Sequence, residues 1–257
     1  MNTASKPKPE EVRAKIRDDL IRRLFAVAIS VGAATTLSRM QWVEHGRWPC
    51  LAEWQQLSIL SAALTATVLS WDGYLFSIAE RPLGSFWRFA IDILLVFIYM
   101  FLLMTSKLLV WWLFIHAFIY VLYAIWDLLT VIEWTPKYYY RESANPSIAS
   151  IYSGGLRDSS DVSRGPIITL FWGIYFWALY AINIHGLIDR IFGSTVFVLI
   201  GLYLYRRDKT LRFTMIWRSA LVVVTLIADA AYLRWGITDS TIWSWVGPYI
   251  GSASCDP

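Results

Sequence analysis

Residues 108–132 form an apolar run, LLVWWLFIHAFIYVLYAIWDLLTVI, that is long enough to cross a bilayer as a helix. A transmembrane helix needs about 20 predominantly apolar residues. The whole chain has the same character, because 57% of its residues are hydrophobic and only 16% are charged, whereas about a quarter of the residues of a soluble domain are charged. We therefore predict an all-α integral membrane protein that contacts membrane lipids.

Six further segments are apolar enough to serve as spans. Residues 1–19 are charged and begin with a Pro/Lys-rich tail, which predicts a mobile, amphipathic segment. Residues 134–165 are too polar and too rich in Pro, Gly and Ser to be a span, and residues 234–257 form a polar tail. The domain 20–233 is thus a predicted bundle of seven transmembrane helices, with spans at residues 20–37, 55–77, 86–105, 108–132, 166–184, 191–205 and 214–233.

The positions of the basic residues predict the orientation of this bundle. With the N-terminus and the loop 134–165 in the cytosol, 18 of the 23 Lys and Arg residues face inward, as the positive-inside rule requires. If the short segment 191–205 were not a span, the five basic residues from Arg206 to Arg218 would move outside and the bias would almost disappear. We therefore expect seven spans, a cytosolic N-terminus and an outer C-terminus, in a plasma membrane or bacterial inner membrane. The net charge of +4 is explained by topology, and no nucleic-acid partner is predicted.

The two cysteines lie in segments that this orientation places outside. Cys50 is in the first outer segment and Cys255 is in the outer tail. An oxidising compartment favours disulfide formation between such residues. We predict a Cys50–Cys255 disulfide, and two unpaired thiols are the alternative.

Polar residues recur on one face of several predicted spans. His116, Tyr120, Tyr123 and Asp127 stand at offsets of 0, 4, 7 and 11, which a helix gathers into one stripe. Comparable stripes occur on spans two, three and seven, and charged residues within spans usually face a bundle interior or water. We predict an ion or substrate path between spans two, three, four and seven, lined by Asp72, Arg88, Asp92, His116, Tyr120, Tyr123, Asp127, Arg218 and Asp229.

The depth of these charges leaves two interpretations open. Asp72, Arg88, Asp92, Asp127 and Arg218 fall in the predicted cytosolic half, where carboxylates and guanidinium groups can neutralise each other. In one interpretation they form the inner mouth of the path, with the His116 and Asp229 side chains in its outer half. In the other, the ion pairs only fix the fold.

Three functions follow from these interpretations. The first is a channel or transporter that moves a proton, a cation or a small polar solute along the path. The second is an accessory or effector membrane subunit whose loop 134–165 and N-terminal tail bind a cytosolic protein. The third is an intramembrane enzyme that acts on a lipid-linked substrate with a divalent cation held by the three carboxylates. An enzyme is the less favoured class, because no two of the three carboxylates lie close in sequence as a compact metal motif and Arg88 and Arg218 can neutralise them. The sequence has no HExxH, GxSxG or nucleotide-binding glycine motif, and no cofactor or metal site is predicted.

The second span also carries small residues at every fourth position. Such a ridge lets another helix approach closely. It predicts a contact with a second copy of the chain, in a homo-oligomer, through Ser58, Ala62, Ala66 and Ser70.

Overall fold

A computed structural model describes residues 9–40, 42–43, 46–81, 83–144, 159–184 and 190–251, with only the backbone at residues 10–11, 80, 135–144 and 159–163. Across these ranges the chain forms eight helices and no strand, which confirms the all-α prediction. The helices are α1 (Pro9–Ser38), α2 (Leu51–Glu80), α3 (Phe86–Met104), α4 (Leu109–Ala144), α5 (Ser159–Asn183), α6 (Ile191–Leu211), α7 (Met215–Trp235) and α8 (Asp239–Ile250).

Six helices of the described chain are long and apolar enough to cross a membrane, and this supports a multi-pass membrane protein. The six segments are Val12–Ser38, Leu51–Ala79, Phe86–Met104, Leu109–Trp134, Arg164–Asn183 and Met215–Trp235. Helix α6, over the predicted sixth span, is not among them, because its last turns contain the charged run Arg206-Arg207-Asp208-Lys209. It nevertheless packs against α2, α5 and α7. The count of seven spans and the orientation therefore stay predictions.

The helices extend beyond the predicted spans on both sides of the long loop. Helix α4 continues to Ala144, and α5 begins at Ser159, so both ends of the segment 134–165 are helical rather than loop. Asn145 and Pro146 follow α4 directly, and the residue before a proline is disfavoured in a helix. Residues 145–158, the middle of the predicted partner-binding loop, lie outside the described residues.

The packing of the helices places α7 at the periphery of the bundle. The most extensive helix contact is between α4 and α5. Helix α1 packs against α3, and α2 packs against α3 and α6. Helix α7 contacts α5 and α6 and exposes a broad apolar face to the surroundings. Apolar side chains on that face include Ile216, Val224 and Ile227, each more than 60% exposed. Such a surface is stable in contact with lipid acyl chains.

The small-residue ridge of α2 lies largely inside the bundle. Ala62 and Ala66 are each 1% exposed and belong to the main apolar core. Ser70 accepts a hydrogen bond from Tyr99 of α3. Ala62 and Ala66 therefore pack within the chain, and the homo-oligomer through Ser58, Ala62, Ala66 and Ser70 stays a prediction.

The C-terminal helix folds back on the start of α2. The indole Nε1 of Trp54 donates a hydrogen bond to the carbonyl oxygen of Ile250 over 3.3 Å. Gly251 lies close to Pro49, because a Cβ added at Gly251 would be 3.0 Å from the carbonyl oxygen of Pro49. The end of α8 thus lies beside the buried Cys50. Cys255 lies outside the described residues, so the Cys50–Cys255 disulfide stays a prediction.

Candidate functional site

A cavity of about 410 Å³ lies between α2, α3, α4 and α6, with further walls from α1 and α5. Its volume is in the range of small-molecule sites, roughly 300–1,000 Å³. The polar lining is described below, and the apolar lining includes Ile21, Phe25, Leu95, Val96, Ile168 and Leu202.

Three of the four predicted polar stripes converge on this cavity. Asp72 of α2, Asp92 of α3, and Tyr120, Tyr123 and Asp127 of α4 all line it. The stripes converge because each helix turns its polar face toward the same interior, where these side chains can contact one another or water.

The fourth wall differs from the expectation, because it comes from α6 and not from α7. Tyr205, Arg206 and Lys209 of α6 line the cavity, and no residue of α7 does. The charged run at the end of α6 is the sequence signal for Arg206 and Lys209, and it indicates topology rather than a site. The polar side chains of α7 make contacts with α5 and α6 instead.

Charged residues line one end of the cavity, which we define as the mouth. Asp72, Arg164 and Arg212 are exposed there, and Asp127, Arg206 and Lys209 are half-buried. Two ion pairs join α6 to its neighbours there. Arg206 Nη2 lies 2.5 Å from Asp72 Oδ2, and Lys209 Nζ lies 2.7 Å from Asp127 Oδ2. Asp127 also accepts a hydrogen bond from Thr169 of α5. Each of these two carboxylates thus pairs with α6 and not with the predicted arginines.

Lys209 lies beyond the end of the predicted sixth span and keeps its positive charge at the mouth. Its burial disfavours the charged form, but the carboxylate of Asp127 and the hydroxyl of Tyr205 hold the pKa of the Lys209 ammonium above its usual value. The Lys209–Asp127 pair is therefore a stable link between α6 and α4.

Tyrosine hydroxyls line the cavity farther from the mouth. Tyr99 donates to the hydroxyl of Ser70, and the hydroxyl oxygens of Tyr99 and Tyr123 are 2.7 Å apart. The ring of Tyr120 stacks on Phe176 at 4.3 Å between centroids. Ser70 and Tyr99 are missing from the predicted path, although Tyr99 shares a helix face with Arg88 and Asp92. These hydroxyls offer exchangeable hydrogen bonds to a solute.

Asp92 is a deeply buried acidic residue of the cavity. It is only 3% exposed, and its Oδ2 has no hydrogen-bond partner among the described residues. Tyr74 also lines the cavity, and its hydroxyl has no hydrogen-bond partner among the described residues. The indole of Trp126 lies beside the Asp92 carboxylate as a side-chain hydrogen-bond donor.

Arg88, one turn before Asp92 on α3, does not pair with it. The fully buried Arg88 guanidinium donates to Glu133 Oε2 over 3.1 Å and to the carbonyl oxygen of Arg81 over 3.3 Å. It also lies over the ring of Trp126, 4.7 Å from the centroid. The carboxylate that neutralises Arg88 belongs to Glu133, a residue outside the predicted path.

His116 lies one helical turn beyond Tyr120 and does not line the cavity. It is 2% exposed, and neither ring nitrogen has a hydrogen-bond partner in the described ranges. The rings of Trp112, Tyr120 and Phe176 surround it, with centroids 5.5, 6.1 and 4.8 Å away. His116 is therefore packed among aromatic rings, outside the cavity.

Arg218 and Asp229 of α7 lie outside the cavity. Asp208 of α6 accepts from Arg218 Nε at 2.5 Å and Nη2 at 3.0 Å. Asp229 Oδ2 accepts from Asn183 Nδ2 of α5 at 3.2 Å. These contacts attach α7 to its two neighbours.

The described residues contain no group of three or more His, Cys, Asp or Glu side chains that could hold a metal ion. Comparison with protein-family models, with curated proteins and with solved structures finds no match to this chain. The cavity and its polar lining are therefore the features of the described chain that bear on function.

Proposed function

We propose that this multi-pass membrane protein is a transporter that binds a small polar solute in the cavity between α2, α3, α4 and α6. The observation that carries the proposal is a cavity with a charged, exposed mouth and a hydroxyl- and carboxylate-lined interior. Pockets of this kind, with a few polar groups in apolar walls, are typical of ligand sites.

The lining supports a solute site better than a structural void. The Asp72 side chain is 73% exposed and that of Arg206 is 32% exposed, so a solute can reach the mouth. Farther in, Tyr99, Tyr120 and Asp92 are almost completely buried and still line the cavity. A solute entering at the mouth would therefore exchange its hydration for contacts with these side chains.

The packing around His116 favours a carrier over a permanently open pore. An open pore needs a hydrated route through the whole bundle. The cavity instead ends at Tyr120, and the next turn of α4 carries His116, which packs against the rings of Tyr120 and Phe176. A carrier instead exposes its site to one side at a time, by rocking of helix groups around it. The cavity would then be the site as it faces the Arg206 side, predicted to be cytosolic.

Accessibility of an introduced cysteine tests this proposal. Ser70 lines the cavity, whereas Thr67, one turn earlier on α2, is fully buried and does not. In reconstituted vesicles, a membrane-impermeant thiol reagent applied on the side of Arg206 should label Ser70→Cys well above the parent chain, and Thr67→Cys should not react. Equal labelling of the two variants would contradict the proposal.

A second candidate function, the accessory subunit, is favoured by the length of α4. This helix continues from Trp134, the end of its membrane-spanning segment, to Ala144. A helix that projects beyond the bilayer offers a surface to a cytosolic protein. Crosslinks from residues 134–144 to another protein, together with an inaccessible Ser70→Cys, would favour this function over transport.

A further inference from the structure

We propose that α8 is an interfacial helix, which lies in the plane of the membrane at the end of the bundle opposite the mouth and inserts Trp245 and Tyr249 among the lipids of that leaflet. Helix α8 has 12 residues, which are too few to cross a bilayer, because a spanning helix needs about 20. Neither of the two aromatic residues lines the cavity. The interfacial helix and the transport function can therefore fail independently.

The contacts of α8 place it across the end of α2. Asp239, the first residue of α8, accepts a hydrogen bond from Gln55 Nε2 over 2.8 Å and two more from main-chain amides at the start of α6. Trp54 Nε1 donates to the carbonyl oxygen of Ile250, the last residue of α8. The ends of α8 are about 17 Å apart, yet neighbouring residues near the start of α2 reach both of them. Helix α8 therefore runs crosswise to α2, and the mouth lies toward the other end of α2, at Asp72.

The surface of α8 is divided into three faces. Asp239 and Gly247 are buried against the protein. Trp245 and Tyr249 lie one turn apart on a second face and are 59% and 85% exposed. A helix that exposes one apolar and one polar face is suited to the boundary between acyl chains and water. The polar face carries the exposed residues Ser240, Thr241 and Ser244.

Exposed tryptophans of α7 indicate where the membrane boundary lies. Trp217 near the start of α7 and Trp235 at its end are both exposed. About 27 Å of helix rise separates them, which is close to the roughly 30 Å thickness of the hydrocarbon core. Tryptophan is enriched at both membrane–water interfaces. Thr238, the N-cap of α8, follows Trp235 by only three residues, a distance of at most about 11 Å, so α8 begins at this boundary.

The exposed aromatic face favours lipid as its partner. Trp and Tyr combine an apolar ring with a polar N–H or O–H group, which suits the region between acyl chains and headgroups. Trp235 and Ile237, which connect α7 to α8, are exposed as well. Trp48, just before α2, is also exposed at this end of the bundle. The apolar surface of α7 thus continues onto α8, and α8 attaches the starts of α2 and α6 to the membrane surface.

A nitroxide label tests the position of α8 in the full-length protein, reconstituted in phosphatidylcholine vesicles. A background with Cys50→Ser and Cys255→Ser has no other thiol, and the label is attached to Tyr249→Cys or, as the matched control on the polar face, to Ser244→Cys. Collisions with oxygen report contact with acyl chains, and collisions with a water-soluble nickel chelate report contact with water. We expect Tyr249→Cys to be at least about fivefold less accessible to nickel than Ser244→Cys, at a depth of about 5–10 Å.

A photo-crosslinking measurement keeps both native cysteines. The amino acid p-benzoylphenylalanine is incorporated in place of Tyr249 or Ser244 in the otherwise unchanged chain, in nanodiscs of the same lipid. After illumination, intact mass should show phospholipid adducts for the Tyr249 position and at least about fivefold fewer for the Ser244 position, because only the first lies on the apolar face.

Two results would overturn the interfacial helix. Equal and high nickel accessibility of Tyr249→Cys and Ser244→Cys would place both faces in water. Protection of Tyr249→Cys from both oxygen and nickel, or crosslinking of the Tyr249 position to a second copy or another protein in place of lipid, would show that protein covers this face. The labelling of Ser70→Cys reports on the cavity alone, so it shows separately whether the transport function fails.

Discussion

Replacement of Asp208 by alanine should destabilise the bundle more than loss of any exposed ion pair. Asp208 is fully buried and accepts hydrogen bonds from Arg218 Nε and Nη2, from Trp172 Nε1 at 2.9 Å and from the Phe213 amide at 3.0 Å. It thereby joins α5, α6 and α7. Because the Arg218 side chain is only 7% exposed, Asp208→Ala leaves a buried charge without its carboxylate, which typically costs about 3–5 kcal/mol.

Reversible unfolding in mixed detergent micelles measures this loss as a change in the free energy of unfolding. The matched control is Asp72→Ala, which breaks the exposed pair with Arg206 and should cost less than about 1 kcal/mol. The double variant Asp208→Leu, Arg218→Leu should recover only part of the lost stability: an apolar pair often replaces a buried ion pair without loss, but Trp172 Nε1 and the Phe213 amide still lose their acceptor. If Asp208→Ala is no more destabilising than Asp72→Ala, the reasoning about this buried contact is wrong.

Three further predictions concern the end of the bundle opposite the mouth and the topology of the chain. Asp239 accepts hydrogen bonds from the amides of Ile191 and Phe192 at 2.7 and 3.3 Å, so Asp239→Ala should speed hydrogen exchange at the start of α6 and cost about 1–3 kcal/mol; unchanged exchange would contradict this. The Cys50–Cys255 disulfide predicts a mobility shift between reducing and non-reducing gels that disappears in Cys50→Ser, whereas two alkylatable thiols in the parent would exclude it. Seven spans predict that reporters fused to the N- and C-termini lie on opposite sides of the membrane, and reporters on the same side would mean that α6 does not cross.

The helical class and three walls of the cavity could be predicted because they are local properties. An apolar run of about 20 residues specifies a membrane helix whatever its neighbours are, and a polar stripe is set by the helical repeat alone. Asp72, Asp92 and Asp127 therefore appear in both the predicted path and the cavity.

The fourth wall could not be predicted because it depends on which helices become neighbours. The polar residues of α7 follow the helical repeat as those of α4 do, but Arg218 contacts Asp208 and Asp229 contacts Asn183, which places α7 at the periphery. Arg206 and Lys209 follow an apolar segment, so their charges indicate orientation in the sequence, and only the fold brings them to the mouth. Likewise, Glu133 stands at the end of its span and becomes the partner of Arg88 only through packing.

The most direct test of the central claim is the side-dependent labelling of Ser70→Cys in sealed vesicles, with Thr67→Cys as the buried control. A solute cavity that opens at the charged mouth predicts rapid labelling of Ser70→Cys from the side of Arg206, much slower labelling from the opposite side, and no labelling of Thr67→Cys from either. Protection of Ser70→Cys from both sides, as complete as that of Thr67→Cys, would contradict a solute site in this cavity.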